Sequence, residues 1–535
     1  MTNHAARVTR EFHEGTKLGG GPDSGSLLMP AGFTPMDMEN RPTAFKRYPD
    51  APRVGLPRDV GQSEANAAAV LSGEVAGANG ALTPNLLARV LFYSAGVTRV
   101  RSRDGEVVNW FRAAPAAGNL HPVEVYVACG ELGELPAGIH HFAPGDFGLE
   151  TVRTGDRRAA LARALADDAP LSSPVSLILT GLPWSTGWKY TTRGFRHIYW
   201  DAGSMLAQTL AVADAAGVPA RVHVGFVDSL ITEELGLDGI TEFPVAVVTL
   251  GHTSATAPRD EPTHLVAGRA APSSANPVEF PELTLTQRAG DLPDPAAVEE
   301  WRMAASGLGR ATGERNPPAG TVSLPGGVEE LVRRRGSTRM FRPGEITQET
   351  AQWCLGVAAR PVPGDFVAAG RTLLSHFVSV HSVAGVASGR RRWEGDTMSV
   401  LAEVEPDAAR AEAKRLCLGQ DLGGDSALTV FHCAGLDELF ATLGDRGYRA
   451  AQLEAGLAAG RLQLAAFAAG LGGTGLTFFD DAVSDTFQTA DACMLVTAVG
   501  ASDYRNRPGG LPGEPTELSG FSESVVERFK ARYRE

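Results

Sequence analysis

The sequence predicts an α+β fold built twice along one chain, and three observations carry that expectation. The first is a repeat held in one ungapped register. Arg193-Gly194-Phe195-Arg196 matches Arg446-Gly447-Tyr448-Arg449, and Asp201-Ala202-Gly203 matches Glu454-Ala455-Gly456. Gly217-Val218 matches Gly470-Leu471, and Phe226-Val227-Asp228 matches Phe479-Asp480-Asp481, always 253 residues on. Several matches at one offset imply a duplication. The second observation is a long Ala/Gly/Leu-rich helix in each copy, and the third is a set of β-branched runs around those helices.

Taken in order, residues 1–64 form an N-terminal segment with many Pro and Gly. The first unit, 65–252, offers strands at Glu124 to Ala128 and Val175 to Thr180, a helix from about Arg196 to Ala216, and a strand at Pro244 to Leu250. Small residues at this density let two helix backbones approach closely, as in a buried central helix. Gly217 suits the left-handed position that ends such a helix. Residues 253–325 are rich in Pro, Ala, Gly and Thr and read as a linker with at most one short helix near Ala296 to Ala305. The second unit, 326–507, repeats the pattern with strands at Leu373 to Val380 and Ala427 to Cys433. Its helix runs from about Arg449 to Ala469, ends at Gly470, and is followed by a strand at Met494 to Val499. A tail, 508–535, closes with a charged helix over Glu523 to Glu535.

At 535 residues the chain exceeds one core and suits two domains. A hydrophobic share of 43% and a charged share of 21% describe an ordinary soluble globular protein. A net charge of -13 argues against a general nucleic-acid or anionic-membrane binder, while leaving room for a local basic phosphate pocket. No apolar run is long enough to cross a membrane, and Met1 to Lys17 lacks the apolar core of a signal peptide. Cys129, Cys354, Cys417, Cys433 and Cys493 show neither CxxC pairing nor metal spacing, so reduced buried thiols in a cytoplasmic protein are expected.

Several local patterns suit a flavin mononucleotide (FMN). Its phosphate calls for cationic donors, its N5 edge for a backbone amide, and its flat ring for an apolar wall. Arg335-Gly336-Ser337-Thr338-Arg339-Met340-Phe341 supplies two cations and two hydroxyls in five residues. Alone, its default reading is a helix N-terminus on a solvated face. Pro115-Ala116-Ala117-Gly118-Asn119-Leu120-His121-Pro122 is a turn-rich loop before a strand. Gly472-Gly473-Thr474-Gly475 reads as a Gly-rich turn whose amides can approach a ligand. Arg505 and Arg507 lie just past the last strand, within reach of a phosphate.

In this order the pieces resemble the nitroreductase superfamily. The Arg335–Phe341 run is similar to its flavin signature, Arg-x-Ser-x-(Arg/Lys)-x-Phe. The Pro115–Pro122 loop resembles the Pro-Ser-x-x-Asn-x-Gln-Pro loop that reaches the partner's flavin in family homodimers. The resemblance narrows to SagB-type dehydrogenases through Phe12 to Lys17, Pro42 to Tyr48, Arg112 to Tyr126, Gly138 to Phe142 and Lys189 to Arg196. It implies two nitroreductase-like units joined as an intramolecular pseudo-dimer, with further oligomerisation left open. Implied FMN contacts are Arg335, Ser337, Arg339, Ala116, Ala117, Asn119, Gly473, Thr474, Gly475, Arg505 and Arg507. Lys189 and Tyr190 are the implied catalytic pair, since a general base must hold a pKa near the working pH. Trp184, Trp188 and Trp200 cluster near that pair, as a wall for flavin or substrate or as core. His121 lines the substrate side or scaffolds its loop.

Departures from the pattern are one-sided. Ala116 replaces the family's serine. The first unit lacks an Arg-x-Ser-x-Arg run near Leu86 to Leu91, and the second lacks the loop near Pro363 to Arg371. Leu443-Gly444 stands where the first unit has Lys-Tyr. One complete FMN site per chain is therefore expected. The implied reaction is oxidation of thiazolines or oxazolines in a ribosomal peptide to thiazoles or oxazoles, beside a cyclodehydratase. Two alternatives stand at this level: an NAD(P)H-dependent reductase of nitro, quinone or ene substrates, and a non-catalytic flavin-bound scaffold in a peptide-modifying complex.

Overall fold

A computed structural model describes residues 6–19, 36–75, 80–254, 257, 263–312 and 326–518. Its centre is a pair of long helices, Gly194–Ala215 and Arg446–Ala468, packed against each other and buried along almost their whole length. Gly217 and Gly470, with φ of +69° and +72°, end them as anticipated. The glycines inside the helices explain how close they come. A Cβ on Gly203 would sit 2.1 Å from the Leu453 carbonyl oxygen, and one on Gly456 would sit 2.3 Å from that of Trp200. Both obstacles are backbone and neither can step aside. Gly203→Val is therefore expected to cost about 3 kcal/mol, read as a lowered urea midpoint of unfolding.

Each central helix carries one sheet. The first has seven antiparallel strands in the order Arg53–Gly55, Gly148–Thr154, Gly138–Ala143, Val123–Cys129, Val175–Gly181, Phe243–Leu250 and Ala220–His223. The second has six in the equivalent order: Met398–Glu403, Gly389–Trp393, Leu374–Val380, Leu428–Ala434, Ala492–Gly500 and Gly472–Leu476. The β-branched runs read from the sequence are the inner strands of both. A third, three-stranded sheet projects from the first unit. There the hairpin Val97–Arg103/Glu106–Arg112 accepts Thr516–Glu517 of the C-terminal segment in parallel.

The repeated arginines brace the two units. Arg193 and Arg196 reach Asp480 at 3.0 and 2.6 Å, while Arg446 and Arg449 reach Asp228 at 2.6 and 2.8 Å. Removing Asp480 would strip both of its arginines of this carboxylate, whereas without Asp228 Arg449 would still hold Asp291 at 2.8 Å. Asp228 and Asp480 each open a short helix, Asp228–Leu235 and Asp480–Phe487. They stand 252 residues apart, so the 253 register slips by one after the central helix, and Asp480 rather than Asp481 is the partner of Asp228.

The linker needs correction. Among the described residues between 253 and 325 there are two helices, Pro281–Ala289 and Pro295–Ala305, against an expectation of one at most. Their buried Leu283, Val298 and Trp301 pack them onto the units. The N-terminal segment contributes a helix, Arg7–Gly15, and the edge strand Arg53–Gly55. The charged helix anticipated at Glu523 to Glu535 lies outside the described residues. All five cysteines are buried and free. Among the described residues no helix is long and apolar enough to cross a membrane.

Candidate active site

The Arg335–Phe341 run is stitched to the edge of the second sheet. Ser337 bridges Gly473 in parallel, the Thr338 N–H donates to the Gly473 carbonyl at 3.1 Å, and Phe341 bridges Ser502. The glycine run is thus the edge strand Gly472–Leu476 rather than a turn. Sheet pairing won over glycine's turn preference because the strand lies full length on Ala492–Gly500. Its glycines serve close approach instead: a Cβ on Gly472 would lie 2.3 Å from Thr338 Oγ1. Alternate residues of a strand turn their backbone groups to the same edge. Gly473 uses that edge for Thr338. Gly475, the next residue to face it, is exposed, with only the Val496 carbonyl 3.9 Å from where its Cβ would be.

Arg335 crosses to the first unit, its Nη2 donating to the Ala113 carbonyl at 2.7 Å. Its Nε and Nη1 are buried and meet no hydrogen-bond partner among the described residues. Burial first, and then the nearby Arg99, push Arg335 down to about 9. Arg99 itself is held down to about 10 by burial and Arg333. A buried guanidinium with two idle N–H groups beside a second guanidinium has donors and charge that suit an anion. The segment carrying Arg505 and Arg507 wraps this cluster. Asn506 lies against Gly336, and the Arg507 carbonyl accepts from Arg99 Nε at 3.0 Å, while the side chains of Arg505 and Arg507 are exposed.

From the first unit comes the loop. Ala117–Asn119 forms a single 3-10 turn, with Gly118, Asn119 and His121 at φ of +62°, +59° and +47°. Three left-handed residues in so short a span store strain unless their surroundings fix them. Asn119 Nδ2 donates to the Trp110 carbonyl at 2.9 Å, and its Oδ1 lies 3.0 Å from His121 Nε2. The Ala117 N–H donates to both oxygens of Asp201, at 3.0 and 3.1 Å. Burial, with Arg112 and Arg335 nearby, holds His121 well below its ordinary pKa, so its ring is neutral.

Lys189 and Tyr190 end the helix Pro183–Tyr190 and face that loop. A Cβ on Gly118 would stand 3.0 Å from Tyr190 Oη and 3.3 Å from Lys189 Nζ. Tyr190 stacks on His197, with ring centroids 4.0 Å apart and planes 13° apart. Burial, then the charge of Arg339, lowers the Lys189 pKa. Tyr190 is shifted the other way by burial and Asp201, so its hydroxyl keeps its proton. Of the tryptophans, Trp200 packs on His197 and Phe478, and Trp188 donates to the Asp37 carbonyl. Trp184 lines a cavity of about 960 Å³ on the outer face of the first sheet, which touches His121 but none of the residues implied to hold flavin.

The opposite, pseudo-symmetric position is built differently. By strand pairing, Val222 is the counterpart of Gly475. Its outward N–H is taken by the Pro363 carbonyl at 2.8 Å, and Val222 bridges Gly364. Asp365 then accepts from the Val224 N–H at 2.8 Å. Residues Pro363–Asp365 therefore lie along the edge that stands open at Gly475. At the matching place in the second unit, Glu454, the repeat partner of Asp201, accepts instead from the Leu373 N–H at 2.8 Å, immediately before the strand Leu374–Val380.

Comparison with known proteins places this geometry. The sequence profile of the nitroreductase family matches residues 102–252 and 332–501, one segment in each unit and more than half of the chain. The chain belongs to the nitroreductase family. It is accordingly an oxidoreductase of the flavin-dependent type. A putative nitroreductase from Anabaena variabilis superposes over 92% of this chain and 99% of its own, with a TM-score of 0.71 at 23% identity, so one fold runs through both. The microcin B17-processing protein McbC of Escherichia coli is 30% identical over 147 residues, 26% of this chain and 54% of that protein. The chain thus spans about half the length of that relative. A putative nitroreductase of Methanocaldococcus jannaschii is 27% identical over 172 residues, 32% of this chain and 81% of its own.

Two residues escaped the sequence reading. Arg99 lies far in sequence from everything it organises, and no local pattern marks it. Asp201 was visible as part of the repeat, but its partner, the Ala117 amide, is 84 residues away.

Proposed function

We propose that the protein is a SagB-type dehydrogenase that holds one FMN between its units and oxidises thiazoline or oxazoline rings in a peptide to the azoles. The observation that carries this reading is the meeting of Lys189 and Tyr190 with Gly118 of the loop, within electrostatic reach of Arg339 from the other unit. The idle donors of Arg335, the open edge at Gly475 and the cradle at Gly118 suit the phosphate, the N5 edge and the ring respectively. Pro363–Asp365 occupies the equivalent edge opposite, which supports a single flavin per chain. The McbC relative is named a microcin B17-processing protein, which supports a peptide substrate.

Held by Arg335, the Gly475 edge and the Gly118 cradle, FMN would supply a hydride acceptor for the azoline ring. The chain's own residues handle the proton. Lys189, lowered by burial and Arg339, takes the acidic ring-carbon proton on Nζ. Tyr190 keeps its hydrogen and donates it as a hydrogen bond, holding the substrate over the loop. The ring loses one proton and one hydride, two hydrogens in all.

A synthetic thiazoline peptide incubated with FMN-loaded protein should lose two hydrogens by mass spectrometry. Flavin released by denaturing saturated protein should count one per chain. An unchanged peptide mass alongside rapid bleaching of the flavin by NADPH and turnover of a nitro or quinone substrate would instead establish the reductase reading.

A further inference from the structure

We infer that Asp201 is a positioning residue of the reaction: it latches the left-handed loop Ala117–His121 against Lys189 and Tyr190. This inference rests on the reading of Lys189 and Tyr190 given above.

Asp201 sits on the first central helix and is 7% exposed. The carboxyl oxygens of Asp201 accept the Ala117 N–H, at 3.0 and 3.1 Å, and among the described residues no arginine or lysine pairs with it. Burial, opposed by that N–H, holds the carboxyl well above the usual carboxylate range, and a carboxyl kept buried at this cost calls for a reason. The loop supplies one. Gly118, Asn119 and His121 all carry positive φ, a conformation that non-glycine residues adopt only when held there. Two clamps hold it: Asn119 fixes the far end of the turn to the Trp110 carbonyl, and Asp201 fixes the near end. Between the clamps lies Gly118, the residue that abuts Tyr190 Oη and Lys189 Nζ. His197, one helical turn before Asp201, stacks beneath Tyr190. A single helix face thus supports both sides of the contact, the aromatic ring through His197 and the loop through Asp201.

The repeat isolates what the carboxylate is for. Glu454 occupies the same place on the second central helix and keeps the same kind of bond, to the Leu373 N–H at 2.8 Å with Thr372 Oγ1 also at 2.8 Å. That bond leads straight into a strand, with no Lys-Tyr pair beyond it. Asp201 and Glu454 therefore do equal structural service, while only Asp201 has chemistry downstream.

The experiment compares Asp201→Ala, Asp201→Asn and Glu454→Gln in the full-length, FMN-loaded protein with a thiazoline peptide. Asp201→Ala should retain the flavin spectrum and lower kcat by about 100-fold with KM little changed, the effect of a reacting group displaced by about an ångström. Amide hydrogen exchange at Ala117 should quicken in the same protein. Asparagine keeps an acceptor oxygen and should recover most of the rate, whereas Glu454→Gln should leave turnover at the wild-type level. Equal losses of kcat in Asp201→Ala and Glu454→Gln, or wild-type turnover in Asp201→Ala, would overturn the assignment. Should Asp201→Ala not fold, Asp201→Asn decides: its Ala117 exchange must lie at or above that of the wild type, and a slower exchange refutes the latch. Failure of wild-type protein to oxidise the peptide at all would instead count against the reaction proposed above.

Discussion

Lys189→Ala should keep its yellow flavin and lose turnover by about 10²–10⁴-fold, the usual contribution of a positioned general base. The separation of the two readouts follows from where the side chain lies. Lys189 closes the helix Pro183–Tyr190 in the first unit, while the arginines, the Gly475 edge and the Tyr504 contact belong to the second. Losing it therefore removes no donor from the cluster around Arg335. The pH profile carries a second check. Burial and Arg339 lower the Lys189 pKa from its ordinary 10.5, and the proton-free amine is the active form. Turnover should rise with pH along a limb whose midpoint lies below 10.5. Arg339→Gln removes the repulsion that Lys189 feels, so it should move that midpoint upward. A midpoint that stays fixed in Arg339→Gln would detach the two residues from one another.

The sequence disclosed the fold more readily than the site, and particular residues show why. The Ala/Gly stretches around Gly203 and Gly456 announce close-packed helices because small residues at that density have few other uses. Strands such as Val175–Gly181 are legible because both faces are buried and the run is mostly apolar, with Leu177, Ile178 and Leu179 at its centre. Gly472–Leu476 was misread as a turn, since its strand character depends on a partner supplied by Ala492–Gly500. The linker was misread for a similar reason: Trp301 and Leu283 are buried against surfaces that no local window contains. At the site, the Arg335 run and the Pro115 loop carry recognisable patterns. Their junction, Arg335 on the Ala113 carbonyl, spans 222 residues and could only be supposed. Closure of the opposite edge by Pro363–Asp365 was invisible for the same reason, although the loss of a motif there was plain.

Arg335→Met should change flavin affinity and fold stability in opposite directions. Arg335 is a buried cation at whose charge no carboxylate among the described residues aims: Nη2 has the Ala113 carbonyl, Nε and Nη1 meet no partner there, and Arg99 repels it. Methionine fills a similar volume without that charge, so the flavin-free variant should unfold at a higher temperature than the wild type. For the loaded protein the sign reverses. Charge-assisted hydrogen bonds contribute about 1.5–3 kcal/mol each, so losing even one weakens FMN binding by about 10–100-fold. Because bound ligand stabilises only the folded state, the rise in Tm on adding excess FMN should be smaller in Arg335→Met. A variant less stable in both states would mean that Arg335 is a structural brace for Ala113 and not a phosphate ligand. Arg335→Lys separates charge from geometry: it retains a cation but not the fork, and should recover affinity only in part. A site of this kind holds its cost in the empty state, and two idle N–H groups on a buried arginine are the mark that cost leaves in the structure.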